Sequence, residues 1–405
     1  IMKRAIALAG GGPACGLQIG ALQRFAEENM TFDVWALSCI GAWVGVIYHQ
    51  FDPTDAPERT AAFFRDHIFR EDRSYDRFPI NQVFAPDLID NAGAVASFLG
   101  DPRNYQNLYV PGAMLQQMGR NLAFALDRKR WNQGDFNLLV LENLAAHPLS
   151  RFATSLMYRS HINGLSRIYY ENSSFLKSLD FDALEKDDRP FIYHNAWNVT
   201  RQRLDLFANA RRPGYFKLTP QSLCACSALP YIEETVEMNG DVYCEGALVD
   251  TVNFKRLLED HPDLDEVWVL RIVSKEQIRA PQDLTEGLAN LCMLFAASVG
   301  EDDVKLFVNH VKEDKREDAP DQRRWPGRVY EIPVATGIDF DWNVSNLEAG
   351  IAAGYREAAN ILDAYKAGKL QDLTRREKPE HEKLQIDPGR KPADEDQRPP
   401  RPTVV

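Results

Sequence analysis

Lys3-Arg4-Ala5-Ile6-Ala7-Leu8-Ala9-Gly10-Gly11-Gly12-Pro13-Ala14-Cys15-Gly16 is the stretch that decides the fold class. A compact apolar run over 3–9 ends in a glycine triplet. Helical spacing follows, with apolar residues at Leu17, Ala21, Leu22 and Phe25. A second apolar run, Phe32–Leu37, breaks at Ser38-Cys39-Ile40-Gly41, after which the helical pattern resumes. Strand, glycine turn, helix, strand, tight turn, helix is the alternation of an α/β sheet. The positive charge ahead of the first run precedes glycines rather than a cleavage site, so the segment reads as a first strand and not a signal peptide.

Further along, residues 51–189 carry helical patterns such as Ala56–Phe69 and Gly112–Leu126 between loops rich in Asp, Asn, Pro and aromatics, and read as a mostly helical insertion. Strand pattern returns over Pro190–Thr200, at Tyr243 and Leu248, over Glu266–Val273 and over Val329–Val334. Asn346–Lys366 reads as a helix with several small residues. The expected division is a core of 1–50 and 190–366, the insertion, and a Pro-rich charged tail over 367–405.

Of the 405 residues 44 % are apolar and 26 % charged, which excludes wholesale disorder. The net charge of −12 repels phosphate backbones, so no nucleic-acid partner is expected. No apolar run approaches a membrane span; Leu291–Ala297 reads as a short helix face. The six irregularly spaced cysteines form no disulfide framework and point to a reducing cytoplasm. Cys224 and Cys226 lack a second pair, so no metal site is expected.

Three segments carry candidate chemistry. Glycines between a strand and a helix let successive N–H groups converge at a helix N-terminus, a place for a phosphate or an oxyanion. The dinucleotide fingerprint fails there in either register, because its glycines would fall on Cys15 or Pro13. The phosphate loop lacks its Lys-Ser/Thr, and no cofactor is expected. At Leu37-Ser38-Cys39-Ile40-Gly41 a nucleophile elbow is best centred on Cys39. Gly41 suits the position two after, and Leu37 does not suit the position two before; centring on Ser38 gives Ala36 and Ile40. A thiol at a helix N-terminus is activated by a lowered pKa, although a lone cysteine is more commonly a buried structural residue. The third segment, Asn239–Asp250, places Glu245 directly before Gly246-Ala247 at a strand end.

The order of these segments resembles the patatin-like phospholipase family. Phe32-Asp33-Val34 with Gly41-Ala42-x-Val44-Gly45 is similar to that family's elbow, and Ala225-Cys226-Ser227-Ala228-Leu229-Pro230 to its Ala-x-Ser-Ala-x-Pro segment. Glu245-Gly246-Ala247-Leu248-Val249-Asp250 is similar to its Asp-Gly-Gly/Ala-x-x-Asp turn. The resemblance implies a three-layer α/β/α sandwich and a Ser–Asp dyad that hydrolyses lipid acyl groups without a catalytic histidine. Carried over, it puts the nucleophile at Cys39, the base at Glu245, the oxyanion donors at Gly10, Gly11 and Gly12, and elbow residues at Ser38 and Gly41. Four positions depart from the family: Cys39 for serine, Leu37 for glycine, Glu245 for aspartate, and Ala14-Cys15 for the loop's basic residue and glycine.

The resemblance leads to the expectation of an esterase, thioesterase, phospholipase A or acyltransferase acting on an acyl lipid or acyl-thioester, with peripheral membrane contact compatible with that substrate. A catalytically degenerate acyl-binding scaffold is the alternative. A carboxylate beside the thiol raises its pKa while the helix end lowers it, and the sequence leaves that contest open. His194 is a rival base, though a satisfied strand histidine is the plainer reading. A Ser–His–Asp hydrolase would need His381, in the tail. The insertion sits where a lid would attach. Its aromatics Phe51, Phe63, Phe64, Tyr105, Tyr109, Trp131 and Tyr158 would line an acyl channel or form a subdomain core.

Overall fold

The computed structural model describes residues 2–375 apart from 80, 82, 84, 107 and 336. Its strands are β1 (Arg4–Leu8), β2 (Val34–Leu37), β3 (Gly164–Ser166), β4 (Phe191–Asn198), β5 (Arg203–Ala208), β6 (Phe216–Lys217), β7 (Tyr231–Glu233), β8 (Val236–Met238), β9 (Asp241–Glu245), β10 (Glu266–Leu270) and β11 (Arg328–Glu331). The first helices are α1 (Gly16–Glu27), α2 (Ile40–His49), α3 (Ala56–Phe63), α4 (Asp72–Arg77), α5 (Leu88–Gly100), α6 (Pro111–Leu126), α7 (Gln133–Ala146) and α8 (Pro148–Arg159). They are followed by α9 (Ser174–Lys177), α10 (Pro220–Cys226), α11 (Leu257–Asp260), α12 (Leu284–Glu313) and α13 (Val344–Lys366).

The main sheet runs β11-β10-β1-β2-β4-β5-β6, and β9 and β8 continue from β4. β1, β2, β10 and β11 are mutually parallel, as βαβ crossovers require. Period-two alternation divides their side chains between two packed faces. Ile6, Leu8, Trp35, Leu37 and Trp268 join one cluster with α1, α2, α10 and α13. Ala5, Ala7, Val34, Ala36, Val267 and Val269 join the other with Leu257 of α11 and Val304, Phe307 and Val308 of α12. Helices therefore cover both faces, giving the three-layer α/β/α sandwich. That double burial is why these strands read as continuous apolar runs.

β4 organises the centre. Its first half pairs in parallel with β2, ending at the Leu37↔His194 rung. β9 then takes over the same edge in antiparallel sense from Ala196↔Glu245, while β5 lies along the other edge. Two chain segments far apart in sequence thus leave one strand edge two residues apart.

Several local expectations change. The helical pattern over Ala56–Phe69 is α3 followed by a π-helical turn, Phe64–Ile68, whose Phe64 is fully buried. Leu248 lies in a 3₁₀ turn after β9 rather than in a strand. Leu291–Ala297 belongs to the 30-residue α12. Phe63 and Phe64 sit in the main core and Phe51 packs against it, whereas Tyr105, Tyr109, Trp131 and Tyr158 are exposed. The tail from 376 onward, including His381, lies outside the described residues. Among the described residues no helix is long and apolar enough to cross a membrane.

Candidate functional site

The turn after β2 is built around an unusual backbone. Cys39 has φ 50° and ψ −126°, a conformation rarely adopted by residues with a side chain, at a cost of about 1–3 kcal/mol. Its surroundings hold it there. The Cys39 N–H donates to Cys226 Sγ at 3.1 Å, and Asn253 Nδ2 donates to the Leu37 carbonyl at 2.8 Å. A Cβ on Gly41 would fall 2.2 Å from the Leu8 carbonyl oxygen, so only glycine lets α2 start this close to β1. Leu37, a misfit at an elbow by sequence alone, is accommodated. Its side chain fills the space that Gly45 leaves open, a Cβ there lying 2.5 Å from Leu37 Cδ1. The lost small residue is matched by a glycine in the second turn of the helix.

Ser38 is fully buried, and its Oγ lies 3.0 Å from Asn195 Oδ1 and 3.2 Å from the Asp250 carbonyl. Cys39 is half-buried and borders the cavity described below. Ser38→Ala is therefore expected to lose about 1–3 kcal/mol of stability by leaving a buried acceptor unpaired, while any ester turnover of wild type is retained by the folded variant. Thermal unfolding together with ester turnover checks both halves.

The glycine loop lies against this turn. A Cβ on Gly10 would stand 3.0 Å from Cys39 Cβ. The Gly10 N–H, expected as an oxyanion donor, instead donates to the Thr251 carbonyl at 3.2 Å; Gly10 provides close approach. The N–H groups of Gly11 and Gly12 donate to no acceptor among the described residues. Gly11 (φ 153°) and Gly12 (φ 57°) adopt the conformations that favour glycine, and a Cβ on Gly11 would lie 2.5 Å from both Ile272 and Val273 side chains. Ala14 and Cys15 are both buried beneath the loop.

Glu245 ends β9, and its N–H donates to the Ala228 carbonyl at 2.9 Å. Across the strand edge its carboxyl and the Cys39 thiol are near enough for each to act on the other's protonation. Burial pushes the Glu245 carboxyl up to about 7, with the Cys39 contact pulling the other way. Burial also pushes the Cys39 thiol well above the ordinary range, and the Glu245 charge adds to that. The Ile40 N–H opposes it. Desolvation and the carboxylate thus outweigh the helix end. The segment Ala225–Pro230 contributes more than a resemblance: Cys226 receives the Cys39 amide and Ala228 receives the Glu245 amide, fixing both partners. Asn195, unmarked in the sequence, lies between them on β4 and donates to the Asp250 carbonyl at 2.7 Å.

His194 is no rival base in this arrangement. It is fully buried, stacks on Phe207 and has Nε2 3.1 Å from Ser222 Oγ.

A second acid stands close by. Glu233 of β7 is 3 % exposed, borders the same cavity and is hydrogen-bonded to Ser166 Oγ, which also lies 2.9 Å from the Ile232 carbonyl. A hydroxyl has one proton, so if Ser166 donates it to Ile232, the proton in the Ser166–Glu233 contact comes from the acid. Burial accordingly pushes Glu233 up to about 8. A folded-state value above the unfolded one gives stability that is complete below the unfolded pKa and lost as pH rises through about 8. Glu233→Gln is expected to be more stable than wild type at pH above about 8, by roughly 2–4 °C in Tm, with the difference shrinking toward pH 5. Scanning fluorimetry across pH measures it.

These groups open into a cavity of about 1080 Å³. Gly10–Gly12, Cys39, Glu233 and Glu245 form its polar floor. Leu288, Leu291 and Phe295 of α12 and Ile338, Phe340 and Trp342 form apolar wall. None of the seven aromatics expected to line a channel borders it; α12, which nothing in the sequence marks as a wall, does.

A glycine loop after the first strand, a strained turn after the second and a carboxylate on the edge of the fourth meet on a three-layer sandwich. The sequence model described as patatin-like phospholipase matches residues 6–258, and the chain belongs to the patatin-like phospholipase family. Among solved structures it is similar to VipD from Legionella pneumophila, at 11 % identity over 90 % of this chain and 67 % of that one, with a TM-score of 0.36. It is also similar to full-length ExoU in complex with SpcU, from the type III secretion system of Pseudomonas aeruginosa. That match has 14 % identity over 75 % of this chain and 52 % of the other, with a TM-score of 0.22. The chain spans about two thirds and half, respectively, of the length of these proteins. No curated protein sequence matches it.

Proposed function

We propose that the protein hydrolyses acyl esters or thioesters of lipid substrates with a Cys39–Glu245 dyad. The observation that carries this reading is the meeting of the Cys39 thiol and the Glu245 carboxyl on one apolar-walled cavity, beside two uncommitted glycine amides. Family membership supports the lipid substrate class.

In the proposed sequence Glu245 takes the thiol proton as sulfur attacks the acyl carbonyl carbon. The Gly11 and Gly12 N–H groups receive the developing oxyanion. The leaving alcohol or thiol departs with the proton held by Glu245, and an acyl-cysteine remains. Water, deprotonated by Glu245, attacks that thioester and releases the fatty acid with the thiol restored. Each oxyanion donor is worth about 2.7–4 kcal/mol in comparable sites.

One observation favours a second reading, an acyl-binding scaffold: both partners have raised pKa values, so at neutral pH the thiol keeps its proton and the carboxyl is only about half ionised. A panel of p-nitrophenyl esters, acyl-thioesters and lysophospholipids separates the two. Hydrolysis with an acyl group found on Cys39 by mass spectrometry supports the enzyme. Acyl binding without turnover on any member of the panel supports the scaffold.

A further inference from the structure

Among helices α5–α8, where Phe98 of α5 packs on Phe152 of α8, α6 is turned inside out for a water-exposed bundle. Beside the Phe124–Phe136 ring pair, the contact between α6 and α7 holds a polar cluster: the Asn121 and Asn143 side-chain amides exchange hydrogen bonds of 2.8 and 2.9 Å, Gln117 Nε2 donates to Asn121 Oδ1 at 3.1 Å, and Gln117 is buried. The apolar stripe of α6 faces outward instead. Leu115, Met118, Leu122 and Leu126 follow one another at helical spacing and are 63–77 % exposed. In water an amphipathic helix turns such a stripe toward the core.

The stripe leads directly into Arg128-Lys129-Arg130-Trp131, an exposed turn with three basic residues and an indole that is 61 % exposed. Residues 88–160 hold seven Lys/Arg against five Asp/Glu, in a chain with 47 against 59. An acidic protein thus carries a net positive charge on the segment that also displays its apolar residues. The segment rises from the rim of the cavity and returns to it: Pro86, just before α5, and Leu165, just after α8, both border the space above Cys39.

We infer that the outward face of α6 and the 128–131 turn dock on an anionic lipid surface, holding the cavity mouth against the substrate's own phase. The inference rests on the lipid-substrate reading for its occupant and deepens it. Leucines enter the acyl region, Trp131 sits at the headgroup level, and the three cations meet lipid phosphate or carboxylate.

Co-sedimentation of the full chain with phosphatidylcholine vesicles, with and without phosphatidylserine, tests it. The expected result is binding to the anionic vesicles that weakens with salt. The variant R128Q/K129Q/R130Q should lose roughly a hundredfold in partitioning, and M118S/L122S/L126S at least about tenfold. Circular dichroism and turnover of a soluble p-nitrophenyl ester should match wild type. Three results overturn the proposal: wild type left in the supernatant with anionic vesicles, either variant binding as wild type does, or a stripe found covered by a second copy in a vesicle-indifferent dimer. Vesicle binding by a protein inactive on every ester would refute the hydrolase reading and leave the docking surface standing.

Discussion

Replacing Cys39 by alanine is expected to lower kcat/KM by about 10⁴-fold or more on any acyl ester the protein hydrolyses, with little change in fold. The size follows from the site's construction. The thiol contacts Glu245, and His194 is committed elsewhere, bonded at Ser222 and Asn195. Cys224, Cys226 and Cys244 are buried and Cys226 accepts the Cys39 amide, which leaves half-buried Cys292 of α12 as the other thiol bordering the cavity; Cys292→Ala, expected to keep its turnover, is the control. Alanine leaves the strained backbone, the glycine loop and the acid in place, so any residual rate reports binding and oxyanion stabilisation alone. Initial rates on a soluble ester, with Ser38→Ala alongside, decide the matter. Turnover that survives in the alanine variant of Cys39 but is lost in that of Ser38 would assign the chemistry to the wrong side chain.

The second large effect concerns Glu245 and pH. Its carboxyl is pushed up to about 7 by burial, and the thiol lies well above the ordinary range, so the pair loses its first proton near neutrality. Because the base must be ionised before it can accept the thiol proton, kcat/KM should climb about tenfold per pH unit below 7 and level off above it. In Glu245→Gln the rate should fall by about 10²–10⁴-fold and that limb should disappear. An unchanged limb in the glutamine variant would move the titration to another group, of which Glu233 is the nearest candidate. Stability runs the opposite way. Glu245 at about 7, Asp303 at about 7 and Glu233 at about 8 all bind protons more tightly folded than unfolded. Their stabilising contribution is complete at acid pH below the unfolded values and is lost as pH rises through 7–8. The same alkaline shift that activates the pair therefore loosens the fold.

The parts of this molecule that read clearly from sequence are those in which one local rule decides. An apolar run of five or so residues ending in glycine is β1, and the turn at 38–41 is the strained elbow, because strand burial and backbone sterics act over a few residues. The arrangement around β4 is not legible: that β2 and β9 share one of its edges is a property of pairing between segments some 200 residues apart. Leu37 misleads for a related reason, since its tolerance depends on Gly45 across the turn. α12 does not declare itself as a long helix because its apolar residues are divided among the cavity, the core against the sheet and solvent, so no single face is apolar along its whole length. The aromatics of the insertion mislead in the other direction. Aromatic content says that a residue can fill a channel, and exposure of Tyr105, Tyr109, Trp131 and Tyr158 shows that these do not.

The shared edge of β4 has a consequence for how the chemistry can change. Leu37↔His194 and Ala196↔Glu245 are rungs of two ladders on one edge of β4, so the spacing between the two members of the proposed dyad is fixed by peptide hydrogen bonds and owes little to the identity of either side chain. Such a frame is a socket for interchangeable reagents. Sulfur can stand where oxygen stood, and a longer acid where a shorter one did, without any strand being re-laid.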